Sequence, residues 1–267
     1  MTKTIPAILP QPRKVRRLFW DAETAPNICT VWRTGHQIDV SYDNIVKERA
    51  VICIAWKWQG EKTVHVVQWD KNQCDKKLLA EFTTAINEAD EIVGHNVDRF
   101  DLPWFRTRCL FHGLPTLPEY KSVDTLLIAR KKFMFNSNRL DYIAKYLGIG
   151  AKIKTGFALW KAVVLDKNAA ALKKMLTYCK HDVILLEKVW ERLSAATTHT
   201  IHAGVLAGGD KWTCPFDGST NVRVNKTKVT AAGGVKYSFQ CGDCGRYYTV
   251  GPAAYNAYVK AKQLVTA

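Results

Sequence analysis

The stretch from Leu18 to Asn27, LFWDAETAPN, ends an apolar run by presenting two carboxylates, Asp21 and Glu23, two residues apart. Alternate residues of a strand share a face, so the two anions crowd one spot. The run from Val15 to Ala22 reads as a strand entering a core, and α/β sheets build their sites at the C-terminal ends of such strands. A D-x-E triplet alone is weak evidence, because chance supplies about one in a chain of this size. Two solvated carboxylates at a strand end are the bland alternative.

Two further segments bear on that choice. In GHNVDRFDLPWF, residues 94 to 105, a strand ends at Asn96 and a helix begins near Phe100, which puts Asp101 in its first turn, where the helix dipole favours an anion. In YCKHDVILLEKVW, residues 178 to 190, apolar positions Leu172, Leu176, Cys179, Val183, Leu186 and Trp190 mark a buried helical stripe. Tyr178 and Asp182, four residues apart, lie together at its border. A half-buried carboxylate needs a cationic partner, and a metal ion would serve. Four acids from three segments suit two divalent cations about 3.5 to 4 Å apart, the pair that clamps the oxygens of a phosphoryl transfer. Hard oxygen ligands favour Mg²⁺ or Mn²⁺ over zinc.

The periodicity predicts strands over Val51 to Trp58 and Thr63 to Trp69, joined by a turn at QGEK, and an irregular connection over 24–50. Helical spacing follows over 74–89, a short strand in EIVGHN, and a helix from Phe100 to His112 stopped by Gly113. SVDTLLIAR reads as a strand tip or helix start, NRLDYIAKYLGI as a helix, and Asn168 to Leu193 as one or two long helices. Strands first, with helices interleaved later, imply an α/β sheet of mixed strand direction.

The order D-x-E, N-x-x-x-F-D, Y-x-x-x-D over about residues 15 to 193 resembles the DnaQ-like, or DEDD, 3′–5′ exonucleases of the ribonuclease H-like fold, in their tyrosine subclass. SVDTLLIAR and RLDYIAKYLGI resemble that family's intervening segments. The resemblance implies a ribonuclease H-like mixed sheet flanked by helices, two Mg²⁺ or Mn²⁺ ions, and release of nucleoside monophosphates from a 3′ end. It implies that Asp21, Glu23 and Asp182 hold the metal that activates water, that Asp21 bridges to a second metal and that Asp101 supports it. Tyr178 would orient the water. The backbone near Glu23 and Thr24, with Asn96, would meet the terminal nucleotide. The histidine subclass has its His where Thr177 stands here, so His181 is expected to be a surface residue.

The chain has 267 residues, 47% of them hydrophobic, and a net charge of +15, which favours a polyanionic partner. Arg130, Lys131, Lys132, Arg139, Lys145, Lys152 and Lys154 are candidates to line a strand's path, with solvated faces the alternative for about half. Trp104, Phe133 and Phe135 are candidates to stack on bases, with core packing the better expectation for each. DNA, single-stranded for preference, is the expected substrate. An RNA-trimming or structure-selective nuclease and a catalytically idle nucleic-acid-binding adaptor stay open, as does a replication or repair protein as partner. The sequence shows no signal peptide or membrane-spanning run, so the expectation is a cytoplasmic protein, by analogy bacterial or bacteriophage-encoded.

Cys29, Cys53, Cys74, Cys109 and Cys179 are scattered singly, mostly in apolar surroundings, and read as reduced core residues. Cys214, Cys241 and Cys244 are different. WTCPFDGS and QCGDCGRYY resemble the two knuckles of a zinc ribbon, except that Asp217 stands where a second cysteine is expected. Asp217 completing a structural zinc site, His199 or His202 completing it instead, and loss of the metal are the three readings. Arg223, Lys226, Lys228, Lys236 and Arg246 suggest an accessory grip on nucleic acid. The expected organisation is a basic arm over 1–14, an exonuclease domain over 15–195, a linker over 196–210, a zinc-ribbon-like β domain over 211–251, and a tail or short helix over 252–267.

Overall fold

A computed structural model describes residues 13–198 and 200–266; most of the basic arm, and His199, lie outside the described residues. The chain divides into two compact units at 197/198, with the described residues 13–15 grouped with the second.

In the first unit the strands and helices follow in this order: β1 (Arg17–Thr24), β2 (Ile28–Cys29), β3 (Ile45–Lys47), β4 (Val51–Trp58), β5 (His65–Gln68), α1 (Lys76–Asn87), β6 (Glu91–Gly94), α2 (Asp101–His112), β7 (Ser122–Asp124), α3 (Thr125–Lys132), α4 (Leu140–Tyr146), α5 (Phe157–Val164) and α6 (Ala169–Leu193). Five strands form one sheet in the order β5-β4-β1-β6-β7, antiparallel from β5 to β1 and parallel from β1 to β7. This is a ribonuclease H-like fold, with a mixed sheet flanked by helices.

The alternation of β1 decides where its carboxylates go. Trp20 packs on Phe82 of α1 and Phe105 of α2, at ring separations of 4.9 and 6.2 Å. Phe19 faces the other way and meets Trp190 of α6 at 5.4 Å. Asp21 and Glu23 share the Phe19 face and so look towards α6. Across the β1/β4 ladder Asp21 lies opposite Ala55 and Glu23 opposite Cys53, small neighbours that leave room beside the carboxylates. Every residue of β4 from Val51 to Lys57 is buried, as expected of a strand covered on both faces.

Three features depart from the sequence expectation. The connection over 24–50 holds a two-strand ladder, β2 with β3; α5 had no counterpart among the expected elements; and Cys29 and Cys74, read as core, are only partly buried. Residues 169–193 make one continuous 25-residue helix, the single-helix form of the expectation. The β2/β3 strands of two and three residues are too short for alternation to register. The hairpin after β4 turns through Gly60 at φ +80°, and α2 ends at Gly113 at φ +65°, where glycine tolerates the left-handed backbone.

The second unit contains α7 (Ala203–Leu206), an antiparallel sheet of β8 (Val222–Val229), β9 (Val235–Cys241) and β10 (Tyr247–Val250), and α8 (Pro252–Thr266). Trp212, Phe239 and Tyr248 form its core, closed by Tyr258 of α8 at 4.9 Å from Phe239. Residues 252–266 are thus a packed helix. The expected linker also folds into this unit: Ala203 N–H donates to the Pro215 carbonyl at 2.9 Å. Among the described residues no helix is long and apolar enough to cross a membrane.

Candidate active site

Ligand atoms of Asp21, Glu23 and Asp182 come within 4.8 Å of one another. β1 supplies the first two and α6 the third. Asp182 is fully buried and Asp101 is 5% exposed. Asp101, in the first turn of α2, stands beside this trio rather than in it; its Oδ1 accepts the Ala22 N–H at 3.2 Å and so binds α2 to β1. Tyr178 lies one helical turn before Asp182, its ring edge-on to Trp160.

Burial drives the electrostatics. It raises Asp21 to about 7 against the pull of Lys152, with Asp182 adding to the rise. Burial, then Asp21 and Asp182, hold Glu23 well above the usual carboxylate range. Burial and Asp21 do the same to Asp101, and burial lifts Asp182 despite Lys152. Tyr178 is pushed up by burial, so its hydroxyl stays protonated at neutral pH.

Lys152 provides the one positive charge hydrogen-bonded to this cluster among the described residues. Its Nζ donates to Asp182 Oδ2 at 2.6 Å and lies 3.4 Å from the Tyr178 hydroxyl. Burial pulls its pKa down, but Asp21 and Asp182 outweigh that and hold the ammonium form. The preceding residue is tied to α6 by His181, whose Nε2 meets the Ala151 carbonyl at 2.8 Å. His181 is partly exposed on α6 and engaged there by this one contact. The other carboxylate oxygen, Asp182 Oδ1, is buried and accepts no hydrogen bond. Three desolvated carboxylates, an orphaned anionic oxygen and a single lysine fit hard divalent cations.

Beside the cluster opens a cleft of about 640 Å³ whose walls include His95, Asn96, Arg130, Arg139 and Lys152. Asn96 sits at φ +69°, a left-handed conformation that Asn accepts, and its N–H donates to Asp124 Oδ1 at 2.9 Å. Asp124 also caps α3 through Leu126 N–H. His95 bridges Thr125 Oγ1 and the Asn138 carbonyl, and burial lowers its pKa to about 4, so it is neutral.

Of the substrate residues expected from sequence, Asn96 and Arg139 line this cleft; Lys131 and Lys132 are exposed in the last turn of α3 and do not. Thr24 offers a carbonyl already bonded to Trp160 Nε1 at 3.2 Å. Trp104 is covered by Arg49, 4.6 Å above its ring, and Phe133 and Phe135 pack against the core. Asp124 and Trp160 escaped the sequence reading. An Asp just before a helical apolar run is an N-cap signal that could have found the first; a single Trp carries no such signal.

Cys74, Asp75 and His112 also approach one another, but both Asp75 oxygens are engaged, by Arg108 at 2.7 and 2.8 Å and His112 at 2.7 Å. That is an ion-pair network rather than a metal site. In the second unit, Cys214, Asp217, Cys241 and Cys244 bring their donor atoms together. His202 does not join them: its Nδ1 accepts Val205 N–H and its Nε2 meets the Lys211 carbonyl.

The family RNase_H_2, of the RNase H superfamily, matches residues 46–194, just over half of the chain. The chain belongs to the RNase H superfamily. The match starts after β1, so in this RNase H superfamily member it does not reach Asp21 and Glu23. No curated protein matches in sequence. A solved structure of the family B DNA polymerase from the hyperthermophilic archaeon Pyrobaculum calidifontis is similar with a TM-score of 0.54 at 18% identity, over 69% of this chain and 25% of the polymerase chain. At that identity the likeness bears on fold; this chain spans a quarter of the polymerase's length. The superfamily fold supports a nuclease, with nucleic acid as substrate and divalent metal as cofactor.

Proposed function

We propose that the chain is a 3′–5′ exonuclease of the DEDD type, hydrolysing the terminal phosphodiester bond of DNA, single strands by preference, with Mg²⁺ or Mn²⁺. The observation that carries this is the meeting of Asp21, Glu23 and Asp182 within 4.8 Å, with Tyr178 one turn away. Asp21, Glu23 and Asp182 would hold one cation, and Asp21 with Asp101 a second. Bound divalent ions would lower the pKa of water and stabilise the charge on the phosphoryl oxygens.

The chain's own residues do the rest. Tyr178, kept protonated by its surroundings, can hold an attacking water by a hydrogen bond but is a poor base at neutral pH. Water adds to phosphorus, the bond from phosphorus to the preceding 3′ oxygen breaks, and that oxygen takes a proton. The products are a nucleoside 5′-monophosphate and a strand one residue shorter with a 3′-hydroxyl. Lys152 offsets the anionic cluster and steadies Asp182. Arg130, Arg139 and Asn96 present donors along the cleft for phosphate or base.

β8 and β9 add a basic surface. Lys228 stands directly opposite Lys236, and Arg223, Lys226, Lys228 and Lys236 are exposed. Like charges opposed across strands repel, an arrangement that phosphate would relieve.

The test is incubation with Mg²⁺ or Mn²⁺ and 5′-labelled single-stranded DNA, beside an RNA counterpart, a 3′-blocked DNA and the Asp21→Ala variant. A ladder shortening from the DNA 3′ end, absent with block or variant, is expected. Preferential shortening of RNA would move the substrate; binding of both without cleavage would favour the adaptor.

A further inference from the structure

Two loops of the second unit repeat one backbone pattern. Cys214-Pro215-Phe216-Asp217 is followed by Gly218 at φ +80°, and Cys241-Gly242-Asp243-Cys244 by Gly245 at φ +71°. Gly218 N–H donates to the Cys214 carbonyl at 2.9 Å, and Gly245 N–H to the Cys241 carbonyl at 3.1 Å. In each loop amides turn towards the first sulfur: those of Phe216 and Asp217 towards Cys214, and that of Cys244 towards Cys241 Sγ at 3.5 Å. Asp217 therefore occupies in the first loop the place that Cys244 occupies in the second.

The donor spacing matches a tetrahedral ion. With metal–sulfur bonds of about 2.3 Å and a metal–oxygen bond of about 2.0 Å, two sulfurs stand about 3.8 Å apart, and sulfur and oxygen about 3.5 Å. Cys214 Sγ and Cys244 Sγ are 3.7 Å apart, and Cys241 Sγ lies 3.6 Å from Asp217 Oδ2. Asp217 is held for this: its Oδ1 accepts Ser219 N–H at 3.0 Å, which leaves Oδ2 turned to the sulfurs. The loops are also pinned together, since Asp243 accepts from Ser219 Oγ at 2.5 Å and Asn221 Nδ2 at 2.7 Å.

We propose that Cys214, Asp217, Cys241 and Cys244 bind one zinc ion, with Asp217 as the fourth ligand. Three sulfurs and one oxygen suit zinc rather than the hard cations expected at the carboxylate cluster. Cys214 and Cys241 are buried while Asp217 is exposed, so the oxygen corner faces solvent and is where the ion enters and leaves. The ion would tie the segment before β8 to the end of β9, and so fix the root of the basic hairpin. This site stands independently of the nuclease reading.

The test uses the full chain in the Asp21→Asn background, so that the carboxylate cluster contributes less, and reads metal content, chelator competition and the spectrum of the Co²⁺ form. About one zinc per chain is expected. Asp217→Ala should weaken zinc by more than about 100-fold, because loss of a mere outer-shell partner already costs about 10- to 100-fold. Asp217→Cys should restore binding with slower loss to chelator and altered visible cobalt bands, which separates ligation from misfolding. His199→Ala and His202→Ala should leave zinc in place. A folded chain without zinc, a Cys214–Cys244 disulfide, or zinc that survives Asp217→Ala and leaves with either histidine would overturn the proposal.

Discussion

Lys152 Nζ lies 2.6 Å from Asp182 Oδ2, across 30 residues of sequence. The pair joins the segment before α5 to the middle of α6, and it sets a cation against carboxylates that burial would otherwise leave uncompensated.

Lys152→Met should therefore lower the stability of the metal-free protein by about 1–3 kcal/mol, a range reduced because the lysine is partly exposed. Mn²⁺ should restore more stability to the variant than to the parent. Thermal melts with EDTA and with Mn²⁺ measure both. An equal response to Mn²⁺ in the two proteins would show that Lys152 does not share a job with the metal.

Asp21→Asn and Asp182→Asn should cut the exonuclease rate by about 10²- to 10³-fold, the cost of removing one preorganised electrostatic group from an active site. In EDTA, Asp21→Asn should melt higher than the parent, because it removes one of three crowded carboxylates. Single-turnover rates and melts on the same preparation read the two effects. A rate unchanged by either substitution would remove these residues from the chemistry.

The pH dependence has a definite sign. Asp21 ionises near its ordinary 3.8 when unfolded and at about 7 when folded, so over that window the folded state holds more protons. Metal-free stability should fall as pH rises from about 4 to about 7 through this group. His95 acts oppositely: its folded value of about 4 lies below the usual 6.5, so its contribution is present above 6.5 and lost as pH drops towards 4. Melts in EDTA of the parent and Asp21→Asn isolate the first effect, because the variant should lose the Asp21 share of the decline while Glu23, Asp101 and Asp182, also raised by burial, keep theirs.

Arg139→Ala should raise KM for a single strand several-fold with little change in kcat, since Arg139 lines the cleft without joining the carboxylates. Lys131→Ala and Lys132→Ala, outside that lining, should do less. Steady-state kinetics at two salt concentrations distinguish them. A larger KM effect at Lys131 would relocate the path of the strand.

Asp75→Ala should destabilise by about 3–5 kcal/mol while sparing turnover per folded molecule, because it strands Arg108 beside His112 and Val51 N–H without their acceptor. Urea unfolding and active-site-normalised rates measure this.

The strands β1 and β4 and the start of α2 were legible because burial imposes period-two and helical spacing on their side chains. The placement of Asp21 and Glu23 on one face followed from the same alternation. The ladder of β2 with β3 left no periodic trace in so few residues. The 25 residues of α6 read as one or two helices, since a pattern gives spacing better than continuity. At the cysteines, the sequence left Asp217 and two histidines open as fourth donor. Folding engages His202 with Val205 and Lys211 and turns Asp217 towards the sulfurs.

By itself the sequence determined the types of the periodic elements, the sharing of a face by Asp21 and Glu23, and the one-turn relation of Tyr178 to Asp182, because all of these follow from local backbone geometry. Only the tertiary structure decided that β1's Phe19 face meets α6, that Lys152 reaches Asp182, and that Asp101 spends an oxygen on Ala22. Those contacts join residues far apart in the chain. They are fixed by packing and by the need of buried charges for partners, which no local pattern encodes.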